Sequence, residues 1–126
     1  MNWSVTGALL LALAVLIGAF GAHALKARLD EYAREIYERA VFYHFVHGLG
    51  LLALGIALAA HVAAPAAANA AGWLLLAGTV IFSGSLYALA LSGMRALGAI
   101  TPLGGLAFVG GWIAFALACA SGPGAP

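Results

Sequence analysis

The sequence predicts an all-α membrane protein, a single domain over residues 1–126 with four transmembrane helices and an amphipathic interfacial helix between the first and the second. Three observations carry that prediction. Of 126 residues, 65% are hydrophobic and 7% charged, whereas soluble domains are roughly half apolar and about one-quarter charged. Runs at 3–25, 40–60, 70–92 and 102–120 hold no Asp, Glu, Lys or Arg, and each approaches or exceeds the ~20 helical residues that cross a hydrocarbon core. The five basic and four acidic side chains gather in two links, at 26–39 and at Arg95.

The first run, Trp3 to Leu25, ends in Ala22-His23-Ala24, which has the small-x-small look of a signal-peptide cleavage site. No basic residue precedes it and it is longer than an ordinary signal core, so an uncleaved span is expected. Lys26 to Arg39 follows as KARLDEYAREIYER. Leu29, Tyr32, Ala33, Ile36 and Tyr37 recur at helical spacing with the charges on the remaining face, which predicts an amphipathic helix at the headgroups. Lys26 with Asp30, Asp30 with Arg34 and Glu35 with Arg39 are four apart and able to pair.

The second run, Ala40 to Ala60, is separated from the third by a short link containing Pro65, and Asn69 is placed to cap the helix Ala70 to Ser92. Thr101 followed by Pro102 marks the start of the last helix, with proline in its first turn. With four spans, both charged links share one face, and the positive-inside rule assigns that face to the cytoplasm of a cell inner membrane and both termini to the periplasmic side. Trp3 and Trp73 then fall at the outer interface, and Tyr37, Tyr43 and Tyr87 towards the inner one.

Charge and cysteine exclude several classes of function. A net charge of +1 provides no basic surface for a phosphate backbone, so no nucleic-acid partner is expected. Cys119 is the sole cysteine, so neither an intrachain disulfide nor a thiolate metal cluster can form.

Histidine is the one residue type inside the spans that titrates near neutral pH. His61 lies at the outer end of the second span and reads as an interface residue, while His23, His44 and His47 fall in the inner halves of the first two spans and could meet. His44 and His47 are three apart, a spacing two imidazoles can use on one metal or haem. The simpler use is hydrogen bonding between helices, to backbone or to Thr79, Ser83, Ser85 and Tyr87. His23, His44, His47, Ser83, Ser85 and Tyr87 therefore form the candidate polar cluster. Arg95 and Thr101, at a helix start with free amides, are the candidate lipid or anion contact. The many glycines let helix backbones approach closely and favour a tight bundle.

The stretches GAFGAHAL (Gly18 to Leu25), Tyr43 to Leu52, FSGSLYALAL (Phe82 to Leu91) and ITPLGGLAFVGGW (Ile100 to Trp112) resemble the YgdD-like family of small membrane proteins, a domain of unknown function with bacterial and mitochondrial relatives. The resemblance spans nearly the whole chain and implies a four-span inner-membrane protein without implying an activity. The family's motif positions correspond here to His23, His47, Ser83, Ser85, Tyr87, Thr101 and Pro102. Its pattern has glutamine where this chain has His44, so a two-histidine site would belong to this protein and not to the family.

The expectation is a non-enzymatic structural or accessory protein, with membrane lipids and either its own copies or a larger membrane complex as partners. No catalytic residue, metal ligand or cofactor is expected. The alternatives are a small histidine-dependent transporter or channel, since no span offers a carboxylate to hold an ion, and a haem or metal protein using His23 and His47. An intramembrane hydrolase ranks below these, because Ser83 and Ser85 have no acid nearby in sequence.

Overall fold

The computed structural model describes residues 1–123. Helix α1 (Trp3–His23) and helix α2 (Glu31–Ala59) form one antiparallel pair. The second pair is α5 (Thr101–Ala120) against a long helix made of α3 (Pro65–Gly78), a π turn (Thr79–Ser83) and α4 (Gly84–Ser92), with a 3-10 turn (Arg95–Ala99) between α4 and α5. Among the described residues, four helices are long and apolar enough to cross a membrane: Trp3–His23, Glu31–Ala59, Pro65–Ser92 and Arg95–Ala120. Leu9, Leu16 and Phe20 on α1 and Leu106, Val109, Ile113 and Leu117 on α5 are exposed. A water-soluble monomer rarely leaves so much contiguous apolar surface uncovered, whereas lipid solvates it.

Within each pair the backbones nearly touch. A Cβ on Gly7 would fall on the Leu52 backbone and 2.8 Å from the Gly48 carbonyl oxygen, and one on Gly104 would fall 2.8 Å from the Phe82 Cα. Only glycine permits that separation, and close approach is the main source of packing energy between spans, where no hydrophobic driving force acts. The two pairs meet through α2, which packs on α3, the π turn and α4. One apolar cluster lies at the end that holds the termini, around Trp3, Leu51, Leu54, Leu75 and Phe108. A second lies at the charged end, around Leu25, Ile36, Tyr37, Ala40, Leu86 and Leu89.

The interfacial helix predicted over 26–39 is not a separate element. Residues 24–30 are a turn, and Glu31–Arg39 are the opening turns of α2. Asp30 caps the helix by accepting from the Ala33 amide at 2.8 Å, and nothing in Glu38-Arg39-Ala40-Val41 interrupts it. The apolar stripe that suggested a helix flat on the headgroups instead continues the buried face of α2: Ile36, Tyr37 and Ala40 are buried together with Leu86, Leu89 and Ala90. At 1.5 Å per residue the 29 residues of α2 extend about 43 Å, well beyond a core of ~30 Å, so its charged turns project past the bilayer. Because 24–30 is not helical, Lys26 and Asp30 do not pair as helix neighbours. Arg34 donates to the Lys26 carbonyl at 3.0 Å, and Glu35–Arg39 at 2.7 Å is the ion pair found among the described residues.

Asn69 does not cap the third span. That span starts at Pro65, and Asn69, one turn in, donates to the Pro65 carbonyl and accepts from Trp3 Nε1 at 2.9 Å. It thereby ties the start of α1 to α3, beside the edge-to-face contact of Trp3 with Trp73. His61, just past α2, holds a positive φ of 57°, and its side chain is exposed as an interface residue would be.

Candidate functional site

Among the described residues the buried polar side chains are His44 and His47 on α2, Thr79 and Ser83 in the π turn, and Ser85 just after it. His44 and His47 are both buried but face different neighbours. His44 Nδ1 lies 3.1 Å from the Tyr87 hydroxyl on α4. Its Nε2 is buried without a hydrogen-bond partner among the described residues, and the ring lies close to the Leu10 backbone of α1. His47 turns towards α5, where its ring stacks on Phe108 with centroids 3.3 Å apart. Its Nδ1 lies 2.7 Å from the Tyr43 carbonyl. A carbonyl can only accept, so Nδ1 carries a proton and, in the neutral ring, Nε2 keeps the lone pair. Tyr43, Phe82 and Phe108 complete an aromatic group around His47, with Tyr43 and Phe82 centroids 4.4 Å apart.

The hydroxyls are taken up in packing. Thr79 donates to the Leu75 carbonyl within its own helix at 2.8 Å. Ser83 reaches across to the Ala40 carbonyl of α2 at 2.9 Å. Ser85 donates to the Phe82 carbonyl at 3.0 Å, so Thr101, 2.7 Å away, is the donor in the Ser85–Thr101 contact. Tyr37 donates to the Ile17 carbonyl of α1 at 2.6 Å. The π turn adds a residue to one turn and so resets the faces of the long helix. Gly78 and Phe82 meet α5, while Ser83 and Tyr87 meet α2.

Of the candidate cluster, the structure brings His44 to Tyr87, and sets Ser83 and Ser85 nearby on different partners. His23 stands apart. It is exposed at the end of α1, and in the register that sets Gly18 against Val41 and Gly21 against Tyr37 it stands about eight residues, or roughly 12 Å along the helix, from the level of His44. The expectation that three histidines meet depended on a second span starting at Ala40. With α2 starting at Glu31, Gly18 faces Val41 and Gly21 faces Tyr37, so the level of His23 is that of the charged turns. No group of three or more His, Cys, Asp or Glu able to hold a metal ion occurs among the described residues.

Arg95 and Thr101 also part company. The Thr101 hydroxyl points into the bundle at Ser85, whereas the Arg95 guanidinium lies 6.0 Å over the Tyr32 ring, in a cleft of about 290 Å³ shared with Arg28, Asp30 and Tyr32. A second cleft of about 370 Å³ opens between α1 and α2, lined by Gly18, Gly21, Leu25, Lys26, Arg34 and Val41 among others. Sequence reasoning missed this cleft and the aromatic surround of His47. The signal for the latter was present, since Phe82 and Phe108 sit within the FSGSLYALAL and ITPLGGLAFVGGW stretches.

The profile of a family described as "Protein of unknown function (DUF423)" matches residues 17–105. The chain is 47% identical over 111 residues to a UPF0382 membrane protein of Staphylococcus haemolyticus, covering 86% of this chain and 87% of that one. It is likewise 47% identical over 116 residues to one of Staphylococcus epidermidis, with 90% and 91% covered. The UPF0382 membrane protein YwdK of Bacillus subtilis is 43% identical over 114 residues, with 90% and 92% covered. No solved structure matches.

Proposed function

This chain belongs to the DUF423 family of proteins of unknown function, and from that premise we propose that it is a non-catalytic structural or accessory protein, acting as a packed four-span unit in a membrane complex or a homo-oligomer. One observation carries this reading: apart from the Nε2 of His44, the buried polar side chains are directed at neighbouring helices or at their own. Ser83 holds α2, Tyr37 holds α1, Thr101 holds Ser85, and His47 holds the Tyr43 carbonyl. The first three of these run between helices, and hydrogen bonds of that kind fix helix register in lipid. The quoted sequence motifs support extending the kinship to YgdD-like proteins and their mitochondrial relatives. The placement of all five Lys and Arg at one end of the bundle supports an inner-membrane topology with that end in the cytoplasm and both termini outside. An impermeant maleimide would then label exposed Cys119 in intact cells, and the Glu38→Cys/Cys119→Ser chain only after permeabilisation.

A specific observation favours one alternative. The unpartnered Nε2 of His44 beside the π turn is the kind of group a histidine-dependent transporter or channel would use to take up a proton. His44→Gln separates the two readings, because the amide still hydrogen-bonds but does not titrate near neutral pH. The structural reading expects His44→Gln and His47→Gln chains to assemble and function as wild type. Loss of the deletion-complementing phenotype in a well-folded variant would overturn it. Purification in mild detergent at native expression level tests the partner directly. Copurification of other subunits at fixed stoichiometry, or a discrete homo-oligomer, supports the accessory role; a monomer carrying a Soret band or tightly bound metal refutes it.

A further inference from the structure

We propose that the cleft between α1 and α2 at the charged end is a binding site for an anionic phospholipid, with the headgroup phosphate on Lys26 and Arg34 and an acyl chain along the groove below them. The cleft has a volume of about 370 Å³ and two chemically distinct parts. Its deep part is apolar, walled by Gly18, Gly21 and Ala22 of α1, Leu25, and Val41 of α2. Small residues on the α1 side thin the wall: a Cβ on Gly18 would already lie 3.3 Å from Val41, and one on Gly21 would meet the Tyr37 ring. The Tyr37 hydroxyl is turned away onto the Ile17 carbonyl, so the floor presents the ring and not the polar atom.

The mouth carries charge. Lys26 and Arg34 line it together with a single carboxylate, Glu38, and the bond from the Arg34 guanidinium to the Lys26 backbone carbonyl at 3.0 Å brings Arg34 to the turn that carries Lys26. Arg39, by contrast, is engaged by Glu35. Both cations sit where α1 ends and the projecting turns of α2 leave the bilayer, the depth of lipid phosphates. The groove is also open sideways, because α1 packs chiefly on α2. An amphiphile with a negative head and an apolar tail is the chemical complement of such a site, and basic clefts between spans at this face are known to hold acidic headgroups. A soluble anion has no use for the apolar walls. A zwitterionic lipid brings no net charge to match the two cations.

The test uses the full chain, delipidated in a neutral maltoside detergent, with phosphatidylglycerol, phosphatidylcholine and inorganic phosphate as probes. Binding is read by native mass spectrometry and thermal stabilisation, and folding of each variant by far-UV circular dichroism. Phosphatidylglycerol should bind and stabilise where phosphatidylcholine and phosphate do not. At about 1 kcal/mol per cation near a membrane surface, the double variant Lys26→Gln/Arg34→Gln should bind it roughly 30-fold more weakly. Arg28→Gln and Arg39→Gln, outside the cleft, should bind as wild type. Ala22→Trp keeps every charge but fills the exposed wall of the groove, and should displace the lipid. Equal stabilisation by inorganic phosphate would make this a bare anion site and overturn the proposal. Equal weakening in the two outlying arginine variants would reduce it to unspecific attraction, and undiminished binding in Ala22→Trp would remove the acyl groove.

Discussion

Adding one methyl group at Gly7 and at Gly18, on the same seam between α1 and α2, should have opposite consequences. At Gly7 the new Cβ falls on the Leu52 backbone and lies 2.8 Å from the Gly48 carbonyl oxygen. Neither is the tip of a side chain that can swing away, so α1 must lift off α2 or shift along it. Overpacking of this kind costs typically ~1–3 kcal/mol, and here it comes on top of lost close contacts. The gain from alanine's better helix propensity, ~1 kcal/mol, offsets only part of this. At Gly18 the same methyl lies 3.3 Å from a Val41 Cγ atom, which yields by a small rotation of the side chain. Gly7→Ala should therefore destabilise by about 1–2 kcal/mol and Gly18→Ala should be neutral or stabilising by up to ~1 kcal/mol. Unfolding in mixed micelles of increasing dodecyl sulfate fraction, followed by circular dichroism and by the fluorescence of buried Trp3, measures both. Gly7→Ala unfolding at the wild-type midpoint would refute the backbone contact that defines the α1–α2 pair.

Ser83→Ala removes the bond to the Ala40 carbonyl and should cost about 0.6 kcal/mol, up to ~1.7, in the same assay, whereas Ser92→Ala, at an exposed bond to its own helix, should leave the midpoint in place. Arg39→Gln breaks the Glu35 pair, whose side chains are 54% and 68% exposed; the loss should stay below ~0.5 kcal/mol and vanish in high salt.

The spans were legible in the sequence because charge exclusion is a strong constraint. The runs at 70–92 and 102–120 lie inside long apolar helices, and those at 3–25 and 40–60 overrun theirs only at the C-terminal end, past His23 and Ala59. The start of α5 was legible for a local reason, since Pro102 fits the first turn of a helix and not its interior. Other features were not local. Whether the stripe Leu29, Tyr32, Ala33, Ile36, Tyr37 faces headgroups or protein depends on whether another helix end stands opposite, and Leu86, Leu89 and Ala90 are far away in sequence. Asn69 has the chemistry of a cap, but its carbonyl oxygen was claimed by Trp3 from 66 residues away. The π turn has no signature of its own; Thr79 and Ser83 read as ordinary small polar residues until the helix must satisfy α2 and α5 together.

The overhang of α2 accounts for both the separation of the histidines and the cleft. Antiparallel helices joined by a short turn pair residues whose numbers sum to a nearly constant value: Leu11 meets Gly48, Gly18 meets Val41 and Gly21 meets Tyr37. Starting α2 at Glu31 instead of Ala40 fixes that value and carries His23 down to the level of Glu35, well away from His44 and His47. The same shift places the last turns of α1, whose inward face is Gly18, Gly21 and Ala22, opposite the first charged turns of α2. Gly18, Gly21 and Ala22 form a low wall to the cleft that opens there, and Lys26 and Arg34 line its mouth. A chain that brought its histidines together would need the second helix to begin later, and it would then lack the cleft. Deleting residues from the 24–30 turn should therefore change both together, whereas substitutions at His23 alone should leave the lipid cleft as it is.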